Sequence, residues 1–179
     1  MKYVIAGSAV VMFCLALVGT GDAQTKKKDP GDQLPPRADE MPKYLKMLTA
    51  SSAKDRAVGA EKVGLRGMVN ALDVASAIEP LRKMLEKDSD AEVRKAAARA
   101  LGNIQPEATE TVPLLTKTVK EDKVKDVRLA ATVALGQFGG EAKEALPTLR
   151  EFAGEFTNKK APELQTIQAA IKSISGKKK

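Results

Sequence analysis

The sequence EVRKAAARALG at residues 92–102 recurs without gaps as DVRLAATVALG at residues 126–136. A weaker copy occupies residues 55–64. The three copies place an arginine at the same position, at steps of 38 and 34 residues: Arg56, Arg94 and Arg128. Self-similarity at a period of 20 to 50 residues is typical of repeat arrays, in which each unit buries its apolar face only by stacking on its neighbours.

Four prolines keep the same phase as the arginines. They are Pro42, Pro80, Pro113 and Pro147, and successive ones are 38, 33 and 34 residues apart. Each opens a short run with apolar periodicity. Proline is tolerated in the first turn of a helix, because the amide there has no intrahelical partner. We therefore expect each proline to begin a helix.

The repeated motif has the spacing of an amphipathic helix. Apolar side chains recur at i, i+3, i+4, i+7 and i+8: Val93, Ala96, Ala97, Ala100 and Leu101. Gly102 and Gly136 follow the last apolar position, where a left-handed helix end favours glycine, so we expect them to end these helices. A last helix is expected over about residues 162–175, with Ile167 at the place of the arginine and Ala169 matching Ala96.

These patterns predict an all-α fold over residues 42–175, a short α-solenoid of about four helical hairpins with about eight helices. The motif Asp/Glu-Val-Arg-x-Ala-Ala-x-x-Ala-Leu-Gly resembles the HEAT repeat family, and specifically its bacterial relatives of the phycobilin-lyase type. The resemblance implies an α-α superhelix that serves as a scaffold or partner-binding surface, and some members of the family assist bilin attachment. It also implies that the second helices, here those opened by the prolines, line a concave face.

Residues 1–23 have the layout of a secretory signal peptide. A positive start is followed by an almost unbroken apolar run over residues 3–18, and Gly21 and Ala23 supply small residues for cleavage after Ala23. The alternative is an uncleaved anchor, although about 16 residues reach only about 24 Å of a roughly 30 Å hydrocarbon core. We expect an exported protein, periplasmic or extracellular.

Both ends of the repeat region are charged. We expect residues 24–41, which contain proline and glycine, to be a flexible leader and residues 176–179 to be a basic tail. The lysine clusters at residues 26–28 and 177–179 could contact anionic lipid, or they could be solvated segments that keep the protein soluble. Membrane contact is expected only through these lysines or an uncleaved signal.

Composition excludes many enzyme classes. The chain has no histidine, and its single cysteine, Cys14, lies in the apolar run. The repeats therefore lack imidazole metal ligands, Ser–His or Cys–His pairs and disulfides. We predict no enzyme activity, no cofactor and no metal site. Despite a net charge of +7, aromatics are too few to supply stacking platforms, so no nucleic acid partner is expected.

Two sets of basic residues are candidates for function. The repeat arginines could form a ladder for an acidic ligand, but we expect them to pair with nearby carboxylates and join one unit to the next; those carboxylates are Asp90, Glu92, Asp122 and Asp126. Lys83, Lys117 and Arg150 follow their prolines by three or four residues. They could form a partner-binding stripe on the concave face, or be part of an ordinary solvated surface.

The sequence thus predicts a non-catalytic, exported HEAT-repeat scaffold that binds a protein partner of unknown identity through its stacked helices. The alternative is an accessory subunit or chaperone of an enzyme, either a lyase-type protein that assists pigment attachment or part of an extracytoplasmic complex.

Overall fold

Residues 34–176 are described by the computed structural model, and they form eight α-helices. These are α1 Met41–Met47, α2 Ala53–Gly67, α3 Ile78–Lys87, α4 Ala91–Ile104, α5 Ala108–Glu121, α6 Lys125–Phe138, α7 Leu146–Gly154 and α8 Pro162–Ser175. Short 3₁₀ segments precede α1, α3 and α7: Ala38–Glu40, Ala71–Ala77 and Gly139–Ala145. The signal peptide at residues 1–23, most of the leader and the lysines at 177–179 lie outside the described residues and stay predictions.

Consecutive helices pack as hairpins, and the hairpins stack in chain order. Helix α2 packs on α4, α4 on α6 and α6 on α8, so these four form one layer, called the inner layer below. Helices α1, α3, α5 and α7 form the outer layer, and each is followed in the chain by its inner partner. The prediction of a short all-α solenoid of about four helical hairpins is confirmed.

The core lies between adjacent hairpins. Val93 and Val127 begin the apolar stripes of α4 and α6, and both are 0% exposed. The outer helices contribute larger side chains to the same core, all of them 0% exposed: Leu81, Leu115 and Leu149. Each hairpin therefore depends on its neighbour to exclude water from its apolar face, which is the physical basis of the stack.

The prediction that Gly102 and Gly136 end their helices is wrong. Gly102 lies inside α4, whose last residue is Ile104 and whose C-cap residue Gln105 has φ 49°. Gly136 lies inside α6, whose last residue is Phe138 and whose C-cap residue Gly139 has φ 56°. A Cβ on Gly102 would stand 2.8 Å from the Cα of Ala134, closer than real Cβ atoms approach. These glycines therefore allow close approach of neighbouring helix backbones and do not terminate helices.

The same contact fixes the register of the last helix. A Cβ on Gly136 would meet the Cα of Ala170 at 3.1 Å, so Ala170 stands where Ala134 stands one repeat earlier. The position of the arginine in α8 is then occupied by Leu164. The match of Ile167 to the arginine is wrong, because Ile167 is fully buried at the position of Ala131, and the match of Ala169 to Ala96 fails because Ala169 is exposed.

The prolines begin helices with one exception. Pro42 and Pro147 are the second residues of α1 and α7, and Pro80 is the third residue of α3. Pro113 instead lies inside α5, which begins at Ala108, so the prediction that it opens a helix is wrong. Residues 108–112 form a first turn of α5 ahead of the proline.

Candidate partner-binding cleft

The repeat arginines join adjacent hairpins. Arg94 on α4 donates from Nε and Nη2 to the Asp122 carboxylate at 2.7 and 3.0 Å, and its Nη1 donates to the Asp88 carbonyl oxygen at 3.0 Å. Arg56 makes the same bidentate contact with Asp88, donating from Nε to Oδ2 at 2.7 Å and from Nη2 to Oδ1 at 2.9 Å. Arg128 contacts Glu155 at 3.0 and 2.6 Å. Each guanidinium thus binds a carboxylate just beyond the end of an outer helix in the next hairpin.

The predicted structural role of these arginines is confirmed, with different partners for two of them. Of the four carboxylates named as expected partners, only Asp122 pairs with a repeat arginine. Asp90 instead caps α4, where its Oδ1 accepts hydrogen bonds from the backbone amides of Glu92 and Val93 at 2.9 and 3.2 Å. Asp126 lies 3.6 Å from Lys95 on the neighbouring inner helix. The ladder of guanidinium groups is therefore occupied by the protein's own carboxylates.

The arginines keep these carboxylates charged. Hydrogen bonds from Arg56 lower the pKa of Asp88 below its ordinary value, and burial only partly opposes this. Burial acts most strongly on Asp122 and favours its neutral form, but hydrogen bonds from Arg94 and the Val124 amide outweigh it and lower the pKa. Hydrogen bonds from Arg128 likewise lower the pKa of Glu155. At neutral pH the ladder consists of ion pairs with little net charge.

The two layers differ in spacing, which determines the curvature. Glycine and alanine bring the inner helices into backbone contact, as at Gly64 with Ala100 and Gly102 with Ala134. Larger side chains separate the outer helices, which contact one another much less. The array therefore bends toward the inner layer. Lys83, Lys117 and Arg150 lie on α3, α5 and α7 of the outer layer, so the prediction that they line the concave face is wrong.

The wider spacing of the outer layer opens a cleft between the C-terminal halves of α3 and α5. Its volume is about 410 Å³. It is lined by Leu85, Glu86, Lys87, Asp88, Arg94, Leu114, Lys117, Thr118, Glu121, Asp122 and Lys123. We call this the α3–α5 cleft. Leu85 and Leu114 make part of it apolar, while charged side chains make up most of its lining.

The lining of the α3–α5 cleft has four basic and four acidic side chains, and a net positive charge arises because Arg56, outside the lining, pairs with Asp88. Asp88 and Asp122 are neutralised by Arg56 and Arg94, as described above. The lining then retains three lysines and two glutamates: Lys87, Lys117, Lys123, Glu86 and Glu121. Lys117 Nζ lies 3.6 Å from Glu86 Oε1, with 55% of the lysine side chain exposed. The cleft therefore presents a small surplus of positive charge to solvent.

Of the predicted stripe, only Lys117 lies in the cleft. Lys83 is exposed one turn before Lys87 on α3, and Arg150 is exposed on α7, outside the lining. Sequence reasoning missed Lys87 and Lys123. A cluster of three charged residues marks both lysines in the sequence. Residues 86–88 are Glu-Lys-Asp and residues 121–123 are Glu-Asp-Lys, and the two clusters lie at corresponding ends of α3 and α5.

A smaller cleft of about 310 Å³ lies between the starts of α2 and α4, and it includes Glu61, Asp90 and Glu92. The Asp90 side chain already accepts hydrogen bonds from two backbone amides at the start of α4, so its role is to cap that helix. Within residues 34–176, no group of three or more His, Cys, Asp or Glu side chains is arranged to hold a metal ion.

Two-layered stacking of helical hairpins, joined by a repeated arginine and a glycine–alanine contact, defines the class of α-solenoid repeat proteins. A family model for HEAT repeats matches residues 41–135 and again residues 78–161. The chain belongs to the HEAT repeat family. A search of curated proteins found no match. HEAT repeat proteins generally act as scaffolds for protein interaction and are usually not enzymes, and the family match does not extend to the phycobilin-lyase type.

Proposed function

We propose that this protein is an exported, non-catalytic scaffold that binds an acidic segment of a partner protein at the α3–α5 cleft. The observation that carries the proposal is the lysine surplus left after Asp88 and Asp122 are neutralised by the arginine ladder. Lys117 is the central contact, and Lys87 and Lys123 flank it. Lys83 and Arg150 extend the basic surface along the outer layer.

A rigid scaffold suits this mode of binding. The ladder fixes the ends of α3 and α5, so the cleft is formed before a partner arrives and little ordering entropy is lost on binding. The apolar part at Leu85 and Leu114 can receive an aliphatic side chain of the bound segment, while the lysines steer and orient its carboxylates.

Binding of a fluorescent glutamate-rich peptide to the full-length chain, isolated as the cell processes it, tests the proposal. We expect salt-sensitive binding that weakens at least about tenfold in a Lys117→Glu/Lys123→Glu variant. The matched control is Lys159→Glu/Lys160→Glu, an equal charge change at two exposed residues between α7 and α8. A Lys83→Glu/Arg150→Glu variant measures the contribution of the rest of the predicted stripe.

Equal weakening in the cleft and control variants would indicate attraction by net charge alone and would contradict a site at the cleft. Circular dichroism melting of each variant verifies that the fold is retained. Affinity capture from native extract, compared between the parent and the Lys117→Glu/Lys123→Glu variant, then identifies the partner.

Export is the second part of the proposal, and it rests on the signal-like sequence of residues 1–23. N-terminal sequencing of the chain recovered from the extracytoplasmic fraction should begin at Gln24. Recovery of the chain only from the cytoplasm, with residues 1–23 intact, would contradict it.

A further inference from the structure

The α3–α5 cleft contains a side chain that is smaller than its counterparts in the neighbouring repeats. Outer helices repeat every 34 residues, a spacing shown by three fully buried leucines: Leu81, Leu115 and Leu149. In this register Thr118 of α5 corresponds to Met84 of α3 and to Phe152 of α7, which are both buried. Thr118 lines the cleft. The shorter threonine therefore leaves space that a large apolar side chain fills in the other repeats.

The next repeat shows what such a space accepts. Phe152 is fully packed, and Arg128 Cζ lies 3.9 Å from the centroid of its ring. The same guanidinium donates from its edge to Glu155 and to the Val119 carbonyl oxygen. Because hydrogen bonds use the edge of a guanidinium and a ring uses its face, the ion pair and the stacked ring do not compete.

Arg94 has the same contacts at its edge but no ring on its face. It is the repeat equivalent of Arg128, and it donates to Asp122 and to the carbonyl oxygens of Asp88 and Ser89. Within residues 34–176, no aromatic side chain stacks on Arg94. Arg94 also lines the α3–α5 cleft. The cleft therefore contains a largely desolvated arginine that can still stack with a ring.

We propose that the α3–α5 cleft takes an aromatic side chain of the partner, stacked on Arg94 as Phe152 is stacked on Arg128. The proposed function places an acidic partner segment in this cleft, and this inference rests on it: the ring is the anchor of that segment. Leu85 and Leu114 alone would receive any apolar side chain. Arg94 adds a preference for a ring over an aliphatic group.

The charges of the cleft favour acidic residues beside the ring. Asp122 already pairs with Arg94, so carboxylates of the partner contact the lysines of the lining: Lys87, Lys117 and Lys123. Helix α7 provides an example within the chain, where Glu151 and Glu155 flank Phe152 in sequence. The partner segment is therefore a short acidic stretch with an aromatic residue inside it.

Peptides that contain tryptophan test this proposal, because the chain has no tryptophan of its own. Three glutamate-rich peptides differ only at the central residue, which is tryptophan, leucine or serine. Titration calorimetry with the full-length chain, isolated as the cell processes it, gives their affinities. We expect the tryptophan peptide to bind at least about tenfold more tightly than the serine peptide and roughly threefold more tightly than the leucine peptide. Its emission should shift to the blue on binding.

A Thr118→Phe variant restores a large side chain at this position. It should abolish the shift in emission and reduce the affinity for the tryptophan peptide to that for the serine peptide. The control is Thr118→Val, which keeps the shape of the side chain and should bind as the parent does, since the Thr118 hydroxyl donates to the Leu114 carbonyl oxygen at 2.9 Å within its own helix. Circular dichroism melting verifies that both variants fold. If Thr118→Phe unfolds, the three peptides on the parent decide the question alone.

The possible failures are distinguishable. Equal affinities for all three peptides, with no shift in emission, would overturn the aromatic anchor and leave the lysine contacts of the proposed function intact. Equal affinities for the tryptophan and leucine peptides would overturn the stacking on Arg94. No binding of any peptide would contradict the proposed function as well. Self-association of the parent that Thr118→Phe abolishes would identify a second copy of the chain as the occupant, and the proposal would be wrong.

Discussion

Glycine inside a helix normally lowers stability, by about 1 kcal/mol relative to alanine, because it loses more backbone freedom on folding. Gly64, Gly102 and Gly136 occupy such positions on successive inner helices. Each stands against the backbone of an alanine in the next inner helix. Close packing at these contacts sets the spacing of the helices in the inner layer. At these three glycines, tertiary packing therefore outweighs helix propensity.

Replacement of Gly102 with alanine should therefore destabilise the protein. Its Cβ would meet the Ala134 Cα at 2.8 Å, and backbone cannot yield as a flexible side chain can. We expect the free energy of unfolding to fall by about 1 to 3 kcal/mol, despite the better helix propensity of alanine. Urea denaturation followed by circular dichroism measures the change.

The control is Gly154→Ala in α7, where an added Cβ meets no atom within 4 Å. That substitution should leave stability unchanged or raise it slightly, through helix propensity. If Gly102→Ala were as well tolerated as Gly154→Ala, the inner helices would not be held at backbone contact.

At the scale of helices, the sequence predicted which helices form and in what order, but it predicted poorly where they begin and end. The apolar period of α4 and α6 survives in the structure because it is a property of each helix alone. The ends depend on neighbours: Gly102 looks like a helix end until Ala134 is placed beside it, and Pro113 looks like a helix start until α5 is seen to begin at Ala108. The register of α8 was missed for the same reason, because only the contact with Gly136 defines it.

The candidate site was predicted only in part, since curvature is not encoded in any one repeat. Lys117 was found from its distance to a proline, but the layer on which it lies follows from the relative spacing of two sets of helices. The pairing of Asp88 and Asp122 with arginines 32 and 28 residues earlier decides which charges the cleft retains. Local spacing cannot show such a cancellation.

The arginine ladder makes the packing of successive hairpins sensitive to acid. The pKa values of Asp88, Asp122 and Glu155 are lowered in the folded state, so their contribution is complete above the ordinary pKa values of 3.8 and 4.5. It is lost as pH falls through the lowered values. We therefore expect the free energy of unfolding to be nearly constant from about pH 7 to pH 5 and to fall steadily below about pH 4.

Urea denaturation at a series of pH values measures this dependence. An Asp88→Asn/Asp122→Asn variant should have a lower free energy of unfolding than the parent at neutral pH. Its free energy of unfolding should also fall less on acidification, because two of the three titrating carboxylates of the ladder are gone. A Glu144→Gln variant, which changes an exposed carboxylate outside the ladder, should keep the parent profile. Parallel profiles for the parent and the double variant would show that the ladder does not couple acid to stability.

At the scale of the whole molecule, stability should decrease from the centre of the array to its ends. Central helices α4 and α6 each pack between two inner neighbours, whereas α8 has only α6, and α1 is seven residues long and packs mainly on α2. In the register fixed by Gly136, the place of the stacking glycine in α8 is taken by Lys172, which is exposed and would obstruct a further hairpin. Among the described residues, α8 therefore has an inner-layer neighbour on one side only.

Hydrogen exchange measured by mass spectrometry should show this gradient directly. We expect amides of α1 and α8 to exchange through local opening, at rates well above those of α4 and α6, whose opening requires two interfaces to separate. The Gly102→Ala variant should raise exchange in α4 and α6 more than in α1, because it loosens the central interface alone. Uniform protection of all eight helices would mean that the hairpins unfold as one cooperative unit, and the nearest-neighbour account of their stability would then be wrong.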